Sequence, residues 1–214
     1  MTAHRIHLIR HGEVDNPEHI LYERLPGFNL SEHGRAMAHR TAEALLDAHT
    51  PLTRLYASPL ERAQQSAQPI AQLFELPIIP EPRIIEAGNK FRGRKNFDSP
   101  RVLLQPSMWR YLYDPRIPSW GEPYTDMVAR MLAAMRDAWE STPSGDVALV
   151  SHQLPIWIVH RWVAGEPLYH DARKRRCALS SVTTFERDPE TGAFVEVDYQ
   201  DPNAGVDAVD KGAV

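Results

Sequence analysis

Four side chains suited to binding and attacking a phosphoryl group occupy three similar places in the 214-residue chain. Arg10 and His11 stand at the end of the apolar run "RIHLIR" (residues 5–10), inside "LIRHGEVDN". Arg62 follows Ser58 by four residues, where "LTRLYAS" (52–58) passes into "SPLERAQQSAQPIAQLF" (58–74). His152 follows Ser151 at the end of "DVALVSH" (146–152). Each site is a junction where a short apolar run gives way to helical periodicity. Ligands of open α/β sheets bind outside the carboxyl ends of the strands, so these four residues are expected to converge on one crevice.

Their chemistry is that of an anion site. Arginine stays charged, and its planar fork matches phosphate oxygens. A cation in the first turn of a helix, as Arg62 is, opposes the helix dipole at a cost of about 0.3–1 kcal/mol; a bound anion would offset it. Near pH 7 roughly three quarters of an ordinary histidine is neutral, and two guanidinium groups nearby raise that fraction. A neutral imidazole facing a bound phosphoryl group is a nucleophile. The second histidine, if protonated in the field of the dianion, would stabilise the equatorial oxygens of the transition state. Gly12 is expected to let the backbone come close to the ligand. The leaving oxygen still needs an acid. Glu86, where a strand-like run enters an irregular segment, is the candidate by topology, with Asp98, Asp114 and Glu122 as competitors. Singly, each residue has an ordinary reading: a strand-end pair, a solvated helix arginine, a core histidine, a loop carboxylate. Their joint occurrence is what points to catalysis.

The elements that must hold these residues alternate in period. "RIHLIR", "LTRLYAS", part of "LPIIPEPRIIE" (76–86) and "DVALVSH" read as strands. The prolines of the third put it near an edge. Helices are expected over 31–49, with Ser31 as N-cap, over 58–74, over 124–140 and over 153–165. For the second, Ser58 would cap, Pro59 take the first position and Glu61 complete a capping box, while Pro69 would kink or shorten it. The helix at 153–165 is apolar nearly all round and reads as deeply buried, stopped by Gly165. A hairpin across Asp188–Gly192 ends the pattern. The fold class is therefore α/β: a three-layer sandwich with a mostly parallel central sheet, helices on both faces, one antiparallel edge and an irregular lid insertion. Residues 1–200 make one domain, with the insertion at about 87–120; residues 201–214 read as a loosely held tail.

"LIRHGE", "ASPLERAQQSA" and "VSHQ", in that order, are similar to the motifs of the histidine phosphatase superfamily, also called phosphoglycerate-mutase-like; the resemblance spans about 5–187. It implies a metal-independent phosphomonoesterase acting through a phosphohistidine, with no cofactor. His11 would be the nucleophile; Arg10, Arg62 and His152 the phosphate pocket; Glu86, in "IIEAGNKFRG", the proton donor and later the base. Asn16, Arg24 and Gln153 would touch substrate, Gln153 through its backbone N–H. The same pocket serves a phosphoglycerate-mutase-type phosphotransferase, and a phosphate-binding module without activity is the third reading. The chain is shorter than the glycolytic mutases, and its lid shows no basic pair that matches the one they use for the substrate carboxylate. Arg92, Arg94 and Lys95 lie nearby and leave a second anionic group on the substrate open.

Composition bounds the partners. A net charge of −4 makes any anion site local. "RKRR" (173–176) is too short for a nucleic-acid surface and reads as a solvated loop, or as the border of the site mouth. No run of about 18 apolar residues is present, so no membrane span is expected. One cysteine, Cys177, and no leader-like N-terminus suggest a reducing compartment, the cytoplasm. The other histidines, His4 and His7 among them, show no metal-ligand spacing and read as surface or core-edge residues. The expected partner is a small phosphorylated substrate, with no nucleic acid and no membrane. The apolar helix and the edge strands could support a homodimer.

Overall fold

Side chains point to alternate faces along the central strands, and both faces are buried, which builds three layers. The computed structural model describes residues 2–95 and 121–208. Strands β1 (Ile6–Arg10), β2 (Leu52–Ala57), β3 (Ile78–Pro80), β4 (Asp146–Ser151), β5 (Val182–Arg187) and β6 (Phe194–Gln200) form one sheet in the order β3-β2-β4-β1-β5-β6. The pairs β3–β2, β2–β4 and β4–β1 are parallel; β5 and β6 add an antiparallel edge. Helices α1 (Glu32–Asp47) and α2 (Glu61–Leu73) cover one face, and α3 (Tyr124–Ser141) and α4 (Gln153–Val163) the other. Ile6, Leu8, Val147 and Leu149 pack with Met131, Met135, Ile156 and Val159. Ile9, Ala148 and Val150 pack with Ala42, Leu45, Ala63 and Ile70. Both faces are covered, so the central strands are apolar in succession rather than in alternation. Each fully buried Leu or Ile contributes about 1.5–3 kcal/mol.

Several local expectations change. α1 begins as its spacing predicts: Ser31 Oγ accepts the Gly34 N–H at 2.9 Å and donates to Glu13 Oε1 at 2.6 Å. α2 does not. Its N-cap is Leu60, without a side-chain cap, and the Glu61 carboxylate accepts the Gly27 N–H instead of closing a capping box. Ser58 is spent otherwise: its N–H extends the sheet to the Val150 carbonyl, and its hydroxyl meets His152. α2 also runs through Pro69 to Leu73. β3 is only three residues long, between prolines that limit its donors. α4 buries Leu154 to Val159, but Trp162 is 50% exposed, so this helix is not buried all round. His7 is a core residue, bridging Thr184 and Asp146 with its two ring nitrogens.

The neck of the insertion is described, the rest of it is not. Asn89 bridges to Gly121, and the Glu122 N–H donates to the Gly88 carbonyl at 3.0 Å. Asp98 and Asp114, named above as acid candidates, lie outside the described residues. Past β6, buried Asn203 bonds to Arg40, Met37 and Thr41, holding the first residues of the 201–214 stretch against α1; residues 209–214 lie outside the described set. Among the described residues no helix is long and apolar enough to cross a membrane.

Gly12 does allow a close approach, but to the protein itself. A Cβ there would lie 2.5 Å from the Gly34 carbonyl oxygen, and a Cβ on Gly34 would lie 2.0 Å from the Glu13 carbonyl oxygen. The loop carrying His11 is thus pressed on the first turn of α1, backbone to backbone. Gly34→Ala should force them apart at an overpacking cost of about 1–3 kcal/mol. Thermal unfolding should then show a Tm lower by roughly 3–10 °C for a chain of this size; an unchanged Tm would mean that the loop yields freely.

Candidate active site

The parallel register pairs Arg10 of β1 with Ser151 of β4, so the next residue on each strand, His11 and His152, leave the sheet side by side. The His11 N–H closes the ladder on the Ser151 carbonyl at 3.1 Å. The two imidazole rings lie 5.2 Å apart, edge to face. β2 lies on the other side of β4, so Ser58 and the start of α2 complete the group. Arg10, His11, Arg62 and His152 are all buried, at 0–1% exposure.

His11 has its tautomer fixed. Its Nδ1 lies 2.8 Å from the Gly12 carbonyl oxygen, which can only accept, so Nδ1 carries the proton and Nε2 keeps its lone pair. The Arg62 Nε–H points at that lone pair from 3.3 Å. Burial, then Arg62, then Arg10 hold the His11 pKa well below the ordinary value of 6.5. Arg10 Nη1 is anchored on the Cys177 carbonyl at 2.7 Å. Arg62 is anchored by Nη2 on the Glu23 carbonyl at 2.6 Å, and its guanidinium stands 4.7 Å from the centre of the Tyr22 ring. Ser66 Oγ links Arg62 to the loop, accepting the Gly12 N–H and donating to the Arg62 carbonyl.

His152 Nε2 is 2.8 Å from Ser58 Oγ. Burial first, then Arg62 and other neighbours, put its pKa well below 6.5 as well. The unliganded pocket therefore holds His152 neutral; the protonated form considered for it needs the field of a bound dianion. Arg62 Nη1 and His152 Nδ1 are buried with no hydrogen-bond partner among the described residues. An unmet buried donor costs about 1–3 kcal/mol, more when charged. α2 and α4 also start beside this pocket with no side-chain cap, a favourable setting for an anion.

Glu86 is 1% exposed, with Oε1 accepting the Ala87 N–H at 2.8 Å. Burial raises its pKa against the opposing pull of that bond and of Arg62, Arg175 and Arg10. It is a carboxyl group kept protonated beyond the usual range, within the field of both pocket arginines. Glu122 differs: its oxygens take donors from Arg130 and Arg24, tying it into a structural ion pair. Arg24 also donates from Nε to the Glu86 carbonyl at 2.7 Å, so it holds the strand of chain that carries the acid. Both ends of the Asn16 amide bond to the Ile20 backbone and clip that turn. The Gln153 side chain bonds Arg175 and the Cys177 carbonyl. Ser58 and Arg175 were not singled out from sequence as site residues. Ser58 looked like a helix cap, and Arg175, half-buried with Nε on His170, sat hidden in "RKRR". Among the described residues no cluster of three or more His, Cys, Asp or Glu could hold a metal ion.

The model of the histidine phosphatase superfamily (branch 1) matches residues 6–200. The chain belongs to that superfamily. Its similar relatives include the uncharacterized protein Rv0525 of Mycobacterium tuberculosis (strain ATCC 25618 / H37Rv), 44% identical over 200 residues, covering 94% of this chain and 97% of that protein. The "Probable phosphoglycerate mutase GpmB" of Enterobacter sp. (strain 638) is 30% identical over 190 residues, covering 83% and 84%. Among solved structures, the mycobacterial glucosyl-3-phosphoglycerate phosphatase Rv2419c, in complex with VO3, superposes with a TM-score of 0.70 at 24% identity, over 92% of this chain and 98% of that one. Superfamily membership narrows the chemistry to that of a phosphatase or mutase.

The depressed histidines have a consequence for stability. Their folded pKa lies below the unfolded one, so under about pH 6.5 the unfolded chain binds more protons and stability is lost as pH falls. Glu86 has the opposite sign, because its raised pKa costs stability above 4.5. The Tm lost between pH 7.5 and 5.5 should therefore be smaller in His11→Asn and His152→Asn than in wild type. Equal losses in all three would show that these two imidazoles do not carry the effect.

Proposed function

We propose that this protein is a metal-independent phosphomonoesterase that works through a phosphohistidine on His11, acting on a small phosphorylated metabolite. The observation that carries the reading is the pair of buried, unpartnered nitrogens, Arg62 Nη1 and His152 Nδ1, around a histidine whose tautomer puts the lone pair on Nε2. Substrate phosphate oxygens would accept from Arg62 Nη1, and from His152 Nδ1 once it carries a proton, with Arg10 and the helix starts adding positive potential. His11 Nε2 then forms a bond to phosphorus in line as the P–O bond to the alcohol breaks, and Glu86 gives its proton to the departing oxygen. In the second step Glu86, now a carboxylate, takes a proton from water; the water oxygen bonds to phosphorus and the N–P bond breaks. Phosphate is released and both residues return to their resting forms. The arginines supply the charge stabilisation that a metal supplies elsewhere.

The mutase reading is the second one, favoured by the likeness to a relative named as a phosphoglycerate mutase. A mutase must keep water out and hold the phosphoenzyme for a second acceptor. Glu23-Arg24 stand where the glycolytic mutases carry Thr-Gly after the first motif, and that departure favours hydrolysis. A binding module without activity has no use for a buried carboxyl beside the pocket whose pKa burial raises.

Phosphate release should be measured with EDTA present on 3-phosphoglycerate, sugar phosphates, nucleotides and an aryl phosphate. Wild type should hydrolyse at least one of them, and His11→Ala should lose about a thousandfold or more in kcat. If nothing is released, exchange between 2- and 3-phosphoglycerate would identify the mutase, and failure of both assays would leave the binding module.

The pH profile tests the acid. With His11 active when neutral and Glu86 when protonated, kcat should fall on the alkaline side through a limb that reports Glu86. Glu86→Gln should remove that limb and lose about 10²–10⁴-fold on alkyl phosphates, and less on an aryl phosphate, whose leaving group needs no proton. A profile in Glu86→Gln that keeps the wild-type alkaline limb would assign the acid to another residue.

A further inference from the structure

Glu23 is buried at 2% exposure and holds a left-handed backbone at φ +40°, a conformation that glycine adopts freely and glutamate adopts only under constraint. Such an outlier points to function when the surroundings over-determine it. Here they do. Its carbonyl accepts Arg62 Nη2 at 2.6 Å, and Arg62 Nε in turn faces His11 Nε2. Its carboxylate Oε1 accepts the Asn89 N–H at 3.1 Å, 3.8 Å from Arg24 Nε. Oε2 has no hydrogen bond among the described residues and lies 3.6 Å from Arg92 Nε. The residue is therefore pinned at two ends, its side chain on the neck of the insertion and its main chain on the guanidinium of the phosphate pocket.

We propose that Glu23 is a positioning residue that aims Arg62 at the phosphate, its buried carboxylate holding the strained backbone whose carbonyl fixes the guanidinium fork. The inference rests on the phosphate pocket proposed above. With Nε on His11 and Nη2 on Glu23, Nη1 is the Arg62 nitrogen left buried without a hydrogen-bond partner among the described residues. One guanidinium plane can serve nucleophile and ligand together only if a rigid acceptor sets its rotation, and a carbonyl fixed by a two-ended anchor is such an acceptor. Arg24, the next residue, fixes the Glu86 carbonyl. Two consecutive residues thus set the positions of both the anion-binding fork and the acid. A side chain serving only to fill space would not need charge or hydrogen bonding at this site. Glycine would take the same φ without strain, but it would release the anchor.

A double-mutant cycle separates positioning from mere folding. Orthovanadate affinity by calorimetry and kcat/KM on an aryl phosphate are measured for wild type, Glu23→Ala, Arg62→Ala and the double variant, with Tm for each. Glu23→Ala should weaken vanadate binding about tenfold when Arg62 is present and about threefold or less when it is absent. Glu23→Gly, free of backbone strain, should lose affinity as Glu23→Ala does. Glu23→Gln keeps an acceptor for the Asn89 N–H and should stay within about threefold of wild type. Equal losses in both Arg62 backgrounds, or wild-type affinity in Glu23→Gly, would overturn the proposal. Coupled vanadate binding in a protein that hydrolyses no ester would overturn the phosphatase reading alone. Hydrolysis with uncoupled binding would overturn the role of Glu23 alone.

Discussion

The site depends on one pairing, Arg10 with Ser151 across the parallel strands β1 and β4. A slip of one residue in that register would exchange the faces of every side chain on the strand. It would send Ile6 and Leu8 out of the cluster under α3 and α4, and move His11 away from His152. Both faces are packed, so the slip would exchange Ile6 and Leu8 for His7 and Ile9 and misfit both cores; the register is hard to change, and the core fixes the catalytic geometry rather than the reverse. The Ser58 N–H bond to the Val150 carbonyl extends the same ladder to β2, and so aligns Arg62 with the two histidines. Three strand ends carry the pocket because three adjacent parallel strands end at one level.

Such a pocket works against the stability that creates it. Two guanidinium groups, two imidazoles whose pKa burial lowers and a carboxyl whose pKa burial raises are all more comfortable in water. Main-chain carbonyls offset part of the cost: Cys177 for Arg10, Glu23 for Arg62, Gly12 for His11. Carbonyls are suited to this because they fix direction without neutralising charge. The positive potential is kept for a ligand, whereas Arg130 and Arg83, paired with carboxylates, have theirs cancelled.

The elements and the pocket were legible in the sequence because they follow from local pattern. Apolar runs ending in charged or polar residues, followed by helical periodicity, locate Arg10, His11, Arg62 and His152 without knowledge of any contact. What was not legible depends on partners far away in the chain. Ser58 has the right spacing for a helix cap, and only the nearness of His152, 94 residues on, turns its hydroxyl elsewhere. Gly12 reads as room for a ligand until Gly34 is seen pressed against it. His7 reads as a surface or core-edge residue until Thr184 and Asp146 take both its nitrogens. Trp162 looks like core by type, yet it is 50% exposed while Val163 beside it still packs against the core, so its face of α4 decides its exposure. Arg24 is expected from the resemblance as a substrate contact, but its bond to the Glu86 carbonyl is not legible, and Glu23 carries no motif of its own because it acts through a backbone carbonyl.

The charge of His152 shows why residue type alone does not give mechanism. From type, a second histidine beside a phosphate reads as a cation. In the unliganded pocket burial and the field of Arg62 exclude the proton, as they do for His11. The two histidines therefore start alike, and what separates them is their hydrogen bonding. His11 Nδ1 is tied to a carbonyl, so in the neutral ring Nε2 is not a donor but carries the lone pair, which faces Arg62 Nε–H and can attack phosphorus. His152 Nε2 meets a hydroxyl that can donate or accept, which leaves Nδ1 able to carry a proton toward the ligand. A dianion arriving between them would oppose the arginines, and would favour protonation where a ring nitrogen is free to accept it. The division of labour between two identical side chains is thus set by one carbonyl and one hydroxyl, before any substrate is bound.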